Sequence, residues 1–369
     1  MSYSPHPVPS AVSTPKASRH PSAPGGSVAA DPLRAASSIR RRLALTVAAF
    51  GSLAIVTCLL APLVGSTHIS LLRVFDRTIP FEQNVDAQIF FVARLPRVLA
   101  AAIVGAALAS AGVVFQALLR NPLATPFTLG VSAGASLGAM LAITFGTSLV
   151  FLPFAAVPAA SFAGASAAAA LVYWLATPSG RAMSTTVLLL AGVTLNSLFS
   201  ALIMFVQYIA DFAQVYRAAR WLMGDLDVGS FDPILTALPL IAVAFAIFAL
   251  LPAPLNLLSV GADAAAARGV DVGRAQRLAF FSASLATSAA VSLAGPIGFI
   301  GIVVPHLVRL LVGSDHRLVL PASVLFGAAF LVACDVAARI VLAPVEIPVG
   351  VITAVIGGPF FLWLLVRQG

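Results

Sequence analysis

The apolar stretches of this sequence run without interruption, and that continuity sharply limits the folds open to it. The first lies at 43–63, and nine more follow at about 97–118, 127–145, 151–175, 187–210, 234–251, 278–294, 299–312, 319–342 and 348–366. A helix that crosses the hydrocarbon core of a bilayer takes about 20 residues, the length of most of these runs. Strands of a membrane β-barrel would alternate apolar and polar residues, whereas these runs are continuous and rich in Ala, Leu, Gly and Val. Only 9% of the chain is charged, against about 25% in soluble proteins, too little to cover a water-exposed surface. The expectation is an all-α, polytopic membrane protein with about ten transmembrane helices.

Residues 1–39 are dense in Ser, Pro, Ala and Gly and read as a disordered cytoplasmic leader. Residues 40–369 form the transmembrane domain. Arg40, Arg41 and Arg42 precede the first apolar run, which is too long for a secretory signal and lacks a small-residue cleavage site after it. An even number of spans puts both termini on one side. With that side cytoplasmic, it carries 14 basic and 4 acidic residues, a net of +10, while the outer side carries 7 and 9, a net of −2. That asymmetry follows the positive-inside bias. The pI near 10.7 therefore reflects topology and calls for no nucleic-acid partner.

The chain has one lysine, Lys16, in the leader. A phosphate-binding loop of the Walker type needs a lysine after its glycines, so any use of ATP must come from another chain. Cys58 and Cys334 both fall in apolar runs with no zinc-ligand spacing, and a disulfide framework is not expected. Ion-coupled carriers place costly carboxylates or histidines in mid-membrane, and the span interiors here contain almost none. Asp335, Arg339 and Glu346 gather at the outer ends of the last two spans, and Arg309 sits near an inner end. His306, after Pro305, is either a proton relay or a helix-end histidine. A path so sparsely charged points to a driving force supplied from outside the chain.

Gly130, Gly134 and Gly138 recur every fourth residue and are expected to form a helix-packing face, with Gly105 and Ala109 a weaker one. One inner connection stands apart. In the segment 256–271, the alanines of 264–267 favour helix, Asp263 suits its start, and Gly269 suits a left-handed stop. A short exposed helix at about 262–269 is expected there, either as a capped connector or as a docking element.

Several stretches together resemble the permeases of iron-siderophore, haem and cobalamin importers. They are Arg94-Leu95-Pro96-Arg97, Val104–Leu108, Gln116-Ala117-Leu118, Asn121-Pro122-Leu123-Ala124 and Leu129–Gly134 in the first half. In the second half they are Gly295–Gly301, Pro305-His306, Arg309, Asp315-His316-Arg317 and Gly350–Thr353. The likeness runs in unbroken order over about residues 40–367 and leaves out the leader. It implies the type II ABC importer permease fold: ten spans per subunit, a homodimer with a central path, and two ATP-binding cassette subunits on the cytoplasmic side. It further implies a periplasmic binding protein that delivers a metal chelate, and the bacterial inner membrane as location. No catalytic residue, resident metal or cofactor is implied for this chain, since ATP and Mg are used by the partner.

The resemblance also assigns roles. Arg94, Arg97 and Arg339 match outward arginines that pair with acidic residues of the binding protein. Gly261, Ala262, Asp263, Ala266, Arg268 and Gly269 fall where the family docks its ATPase. Leu123 with Thr185 and Thr186 matches the cytoplasmic gate of cobalamin permeases, and the segment 207–212 with Arg217, Arg220 and 221–224 lies at the outer mouth. The competing reading is an ion-coupled secondary transporter of a small metabolite. It predicts inverted repeats and a buried ionisable pair, neither of which is evident in the sequence. A membrane scaffold without transport activity is a third reading, against which the docking segment and the motif order both argue.

Overall fold

The computed structural model describes residues 32–146, 156–177 and 183–368. Its helices are α1 (Pro32–Leu60), α2 (Leu71–Val74), α3 (Val85–Gln88), α4 (Leu95–Leu119), α5 (Val131–Phe145), α6 (Ala156–Ala176), α7 (Thr185–Ile209) and α8 (Phe212–Leu222). They continue with α9 (Asp232–Phe248), α10 (Pro252–Val260), α11 (Ala262–Ala266), α12 (Val272–Ala294), α13 (Ile300–Val312), α14 (His316–Ile340) and α15 (Val349–Gln368). Residues 41–369 form one compact unit.

Among the described residues, six helices are long and apolar enough to cross a membrane, and α9 with α10 make a seventh candidate bent by 61°. Three shorter apolar helices, α5, α13 and α15, account for the remaining expected spans. The expected run at 151–175 begins outside the described residues. The leader expectation also needs correcting at its end. Residues 32–39, assigned to a disordered leader, are helical, as a proline in the first turn followed by Ala35 and Ala36 favours. Residues 1–31 lie outside the described residues.

α4 is the buried hub. Along one side Gly105 meets α14 at Gly327 so closely that a Cβ would overlap the Gly327 carbonyl oxygen, and Gly112 meets Gly301 of α13 in the same way. Further along, Phe115 packs edge-on against Phe280 of α12, with ring centroids 6.1 Å apart. Such contacts bring backbones together, the way membrane helices associate when lipid offers no hydrophobic drive. Among the residues of α1 whose side chains are described, from Ile39 on, only Phe50 and Ala54 are buried. This helix rests on α14 through Phe50 and Phe326, centroids 5.7 Å apart, and turns the rest of its apolar surface outward.

The three glycines at 130, 134 and 138 divide their work. Gly134 and Gly138 lie on α5 against α6, where a Cβ would strike Ala168 and Gly164, or the Ala160 carbonyl. Gly130 is not in the helix. It caps α5 with φ +78°, a left-handed conformation that glycine adopts freely, and it faces Gly192 and Leu195 of α7. The common face expected for all three therefore belongs to two of them.

Candidate functional site

Two polar assemblies mark opposite ends of the helical unit. α14 links them, with Asp315 and His316 at its first turn and Asp335 and Arg339 near its last.

The first assembly gathers Arg94, Arg97 and Arg339. A π-helical turn, Ile89–Arg94, leads directly into α4. Arg94 donates to the Pro62 carbonyl at 2.9 Å and to the Thr67 carbonyl, both just beyond α1. Arg97 Nε lies 2.7 Å from Asp335 Oδ1, and its Nη1 reaches Glu346. Arg339 donates to Val64 O at 2.8 Å and Ala61 O at 3.1 Å. Its Nε stands 3.0 Å from Asp335 Oδ2, an ion-pair contact without hydrogen-bond alignment. Asp335 is fully buried, and each arginine is less than a tenth exposed.

The three arginines expected to meet a partner's carboxylates have acceptors within their own chain, because buried guanidinium groups must be paired and hydrogen-bonded. The i, i+4 spacing of Asp335 and Arg339 was the sequence signal for part of this network. The pairing with Arg97 was not legible, nor were the carbonyl acceptors after α1. The exposed cations nearby are Arg73, Arg77, Arg217 and Arg220. Arg220 is paired with Asp225 at 2.9 Å, whose charge holds the guanidinium pKa above its ordinary value. α8, which carries Arg217 and Arg220, starts with a capping box between Asp211 and Gln214. A cavity of about 460 Å³ lies between α8 and the start of α15, lined by Arg97, Tyr216, Arg220, Asp225 and Glu346.

At the other end, α10 and α11 form a bent excursion. Gly261, with φ +152°, breaks the chain between them, and Gly269, with φ +81°, turns it back toward α12. Asp263 lies in the first turn of α11 and is not its cap, a position held by Gly261. Ala265 is buried against Leu258 and Ala275, whereas Asp263, Ala266, Arg268 and Gly269 are exposed, with Gly261 and Ala262 half-buried. One face is thus seated on α10 and α12 and the other is open.

α10 is tied to α14 through Asn256. Its Nδ2 donates to Asp315 Oδ1 at 2.7 Å, and its Oδ1 accepts the His316 backbone N–H at 2.9 Å and lies 2.7 Å from His316 Nδ1. Asp315 caps α14 by accepting the Arg317 N–H. Burial raises its pKa, but the Arg317 and Asn256 donors more than offset this, and its carboxyl lies below the usual range. Close by, Arg309 reaches Gln116, whose amide donates to Gly301 O at 2.9 Å, and Arg42 donates to Val312 O at 3.0 Å. Sequence reasoning did not single out Asn256. An asparagine followed by apolar residues carries no signal until its partner is known.

The predicted gate residues are less closely grouped. Leu123 is exposed in the loop after α4, while half-buried Thr185 and exposed Thr186 open α7. The loop meets α7 through Asn196, which donates to Phe127 O at 2.7 Å, and through Gly192, packed on Thr128 and Leu129. His306 is half-buried on α13, its ring centroid 5.8 Å from that of Phe360. Cys58 and Cys334 are both free.

The sequence profile described as the FecCD transport family matches residues 53–367. The chain is 46% identical over 272 residues to a cobalamin import system permease protein of Halobacterium salinarum, covering 74% of this chain and 72% of that protein. It is 39% identical over 321 residues to a hemin transport system permease protein of Yersinia pestis, covering 86% and 95%. With an Fe(3+) dicitrate transport system permease protein of Escherichia coli the identity is 37% over 330 residues, covering 89% and 99%. A solved structure described as a metal-chelate type ABC transporter in an inward-facing conformation matches with a TM-score of 0.76 and 33% identity, covering 87% of this chain and 98% of that one.

Proposed function

The chain belongs to the FecCD transport family, and from that premise we propose that it carries a ferric siderophore or cobalamin, with haem a third candidate, inward across the bacterial inner membrane. In coarser terms it is a multi-pass permease of an ABC importer for iron or cobalt chelates, and it is not itself an ATPase. The observation that supports a chelate cargo is the family match over residues 53–367. The 46% identity to a cobalamin permease makes cobalamin the first cargo to test.

Two copies form a homodimer around the path. The wide apolar exposure of α7, including Val187, Leu190, Val193 and Phe205, supports a surface that meets a second copy as well as lipid. The open side of Gly261–Gly269 seats one of two ATP-binding cassette subunits, which bind the Mg–ATP. Leu123, Thr185 and Thr186 form the gate on that side. The positive charge bias puts this end and both termini in the cytoplasm. At the periplasmic end the exposed Arg73, Arg77 and Arg217 meet an acidic binding protein beside the Arg94, Arg97 and Arg339 network.

The test is reconstitution in proteoliposomes with the cognate ATPase and binding protein, offering cyanocobalamin, haemin, ferric citrate and a ferric hydroxamate separately. Uptake of one chelate that requires ATP and both partners is the expected result. Uptake by the chain alone under an ion gradient would overturn the reading in favour of a secondary transporter.

A further inference from the structure

We propose that Asn256 is a positioning residue that hooks the α10–α11 excursion onto the first turn of α14, so that displacement of α11 by a docked ATPase is passed along α14 to the arginine network at its far end. This rests on the reading of α11 as the ATPase seat.

Three observations carry it. First, α11 cannot move independently of α10, because Ala265 is fully buried against Leu258 of α10 and Ala275 of α12. Second, Asn256 uses both ends of its amide on α14. It donates to Asp315 Oδ1, and its oxygen takes up the His316 N–H and ring nitrogen. An amide is suited to this, since it offers donors and an acceptor in one plane. The hook is also placed where α14 needs it. Pro321 lacks an N–H, which leaves the Arg317 carbonyl without its helical partner. With that carbonyl unserved, the Asp315 cap and Asn256 add hydrogen bonds to the first turn beside its own helical ones.

Third, α14 is built to transmit. Leu318, Val319, Leu320 and Ala322 are buried on either side of the proline, and Gly327 locks the helix backbone-to-backbone onto Gly105. From His316 to Asp335 the helix rises about 28 Å. There Asp335 holds Arg97 of α4, Arg339 grips the carbonyls after α1, and the Ile347 N–H donates to Ala338 O, tying down the segment that leads into α15. A shift of the first turn of α14 thus reaches α1, α4 and α15 through hydrogen-bonded groups.

The experiment uses the permease with its cognate ATPase in nanodiscs, with Cys58 and Cys334 replaced by alanine and a reporter Val345→Cys beside Glu346. Two quantities are read: ATP hydrolysis, and the change in maleimide labelling rate at the reporter on adding ATP and vanadate. The parent is expected to show an ATP-dependent change in labelling. Asn256→Ala and Asn256→Asp should reduce that change at least about fivefold while hydrolysis continues, the aspartate because it faces Asp315 without a donor. Asn256→Asp combined with Asp315→Asn restores one donor and one acceptor with the charge exchanged, and should recover the response. Asparagine is also a good helix cap, so α14 keeps its start. An undiminished response in Asn256→Ala overturns the proposal. If that variant does not assemble, the exchanged pair decides, and its failure to recover the response overturns the hook. A parent complex that hydrolyses ATP with no labelling change overturns transmission along α14, whereas a complex whose assembly survives Ala266→Glu overturns instead the reading of α11 as the ATPase seat.

Discussion

Arg97 and Asp335 meet at 2.7 Å, although 238 positions separate them in the chain, and Asp335 is shared with Arg339 one helical turn further along α14. The cluster of Arg94, Arg97 and Arg339 with Asp335 and Glu346 leaves one positive charge uncompensated by carboxylate. The carbonyls of Ala61, Pro62, Val64 and Thr67 take up the excess.

Removing the shared carboxylate should therefore be costly. Breaking one side of a buried ion pair typically costs about 3–5 kcal/mol, so Asp335→Ala should lower the thermal midpoint of the purified permease well below that of Glu346→Ala, whose side chain is 42% exposed. Equal midpoints for the two variants would mean that Asp335 carries no special load.

The same network changes what charge reversal should do. Arg94→Glu with Arg97→Glu should destabilise the permease itself, seen as loss of monodisperse protein. Arg73→Glu with Arg77→Glu should leave the fold intact and weaken binding-protein docking. Exposed pairs contribute about 0.2–1 kcal/mol each, so that loss should be modest and shrink in high salt. A pull-down at low and high ionic strength checks it.

Ala266 and Ala265 are neighbours in sequence with opposite surroundings, exposed and fully buried. Ala266→Glu should leave the isolated permease as stable as before and release the ATPase, because a desolvated unpaired charge at an interface costs about 2–5 kcal/mol. Ala265→Glu should disrupt the excursion even without the partner. Co-purification and thermal melting separate the two effects.

Asp315 gives a pH signature. Its carboxyl titrates below its ordinary value in the folded chain, so it contributes stability above about pH 4 that is lost as pH falls through its lower folded pKa. The thermal midpoint of Asp315→Asn should show less acid dependence than the parent below about pH 4. Parallel curves would assign the acid sensitivity to other groups.

The sequence made the ten apolar segments legible, because span length and continuity are one-dimensional properties. It also disclosed the excursion at 262–269, whose Gly269 does adopt a left-handed turn. Partnership was not legible. Arg94 and Arg97 stand where a span begins, and nothing local distinguishes a guanidinium facing water from one aimed at carbonyls after another helix. Gly130 continued the spacing of Gly134 and Gly138, yet ended up outside the helix, since periodicity does not register where a cap falls. Asn256 was silent for the same reason: its partners arrive 59 and 60 positions later.

The close approaches at Gly105, Gly112, Gly134 and Gly138 bear on inheritance. Every single-nucleotide missense change in a glycine codon adds at least one carbon at the position where a neighbouring backbone already lies. Even alanine, the mildest of these replacements, must push two helices apart. Overpacking of this kind typically costs about 1–3 kcal/mol, so a deep mutational scan selected for uptake should find these four codons as intolerant as the ionic network. At each of them alanine should fare best, with survival falling as the new side chain grows and owing little to its polarity.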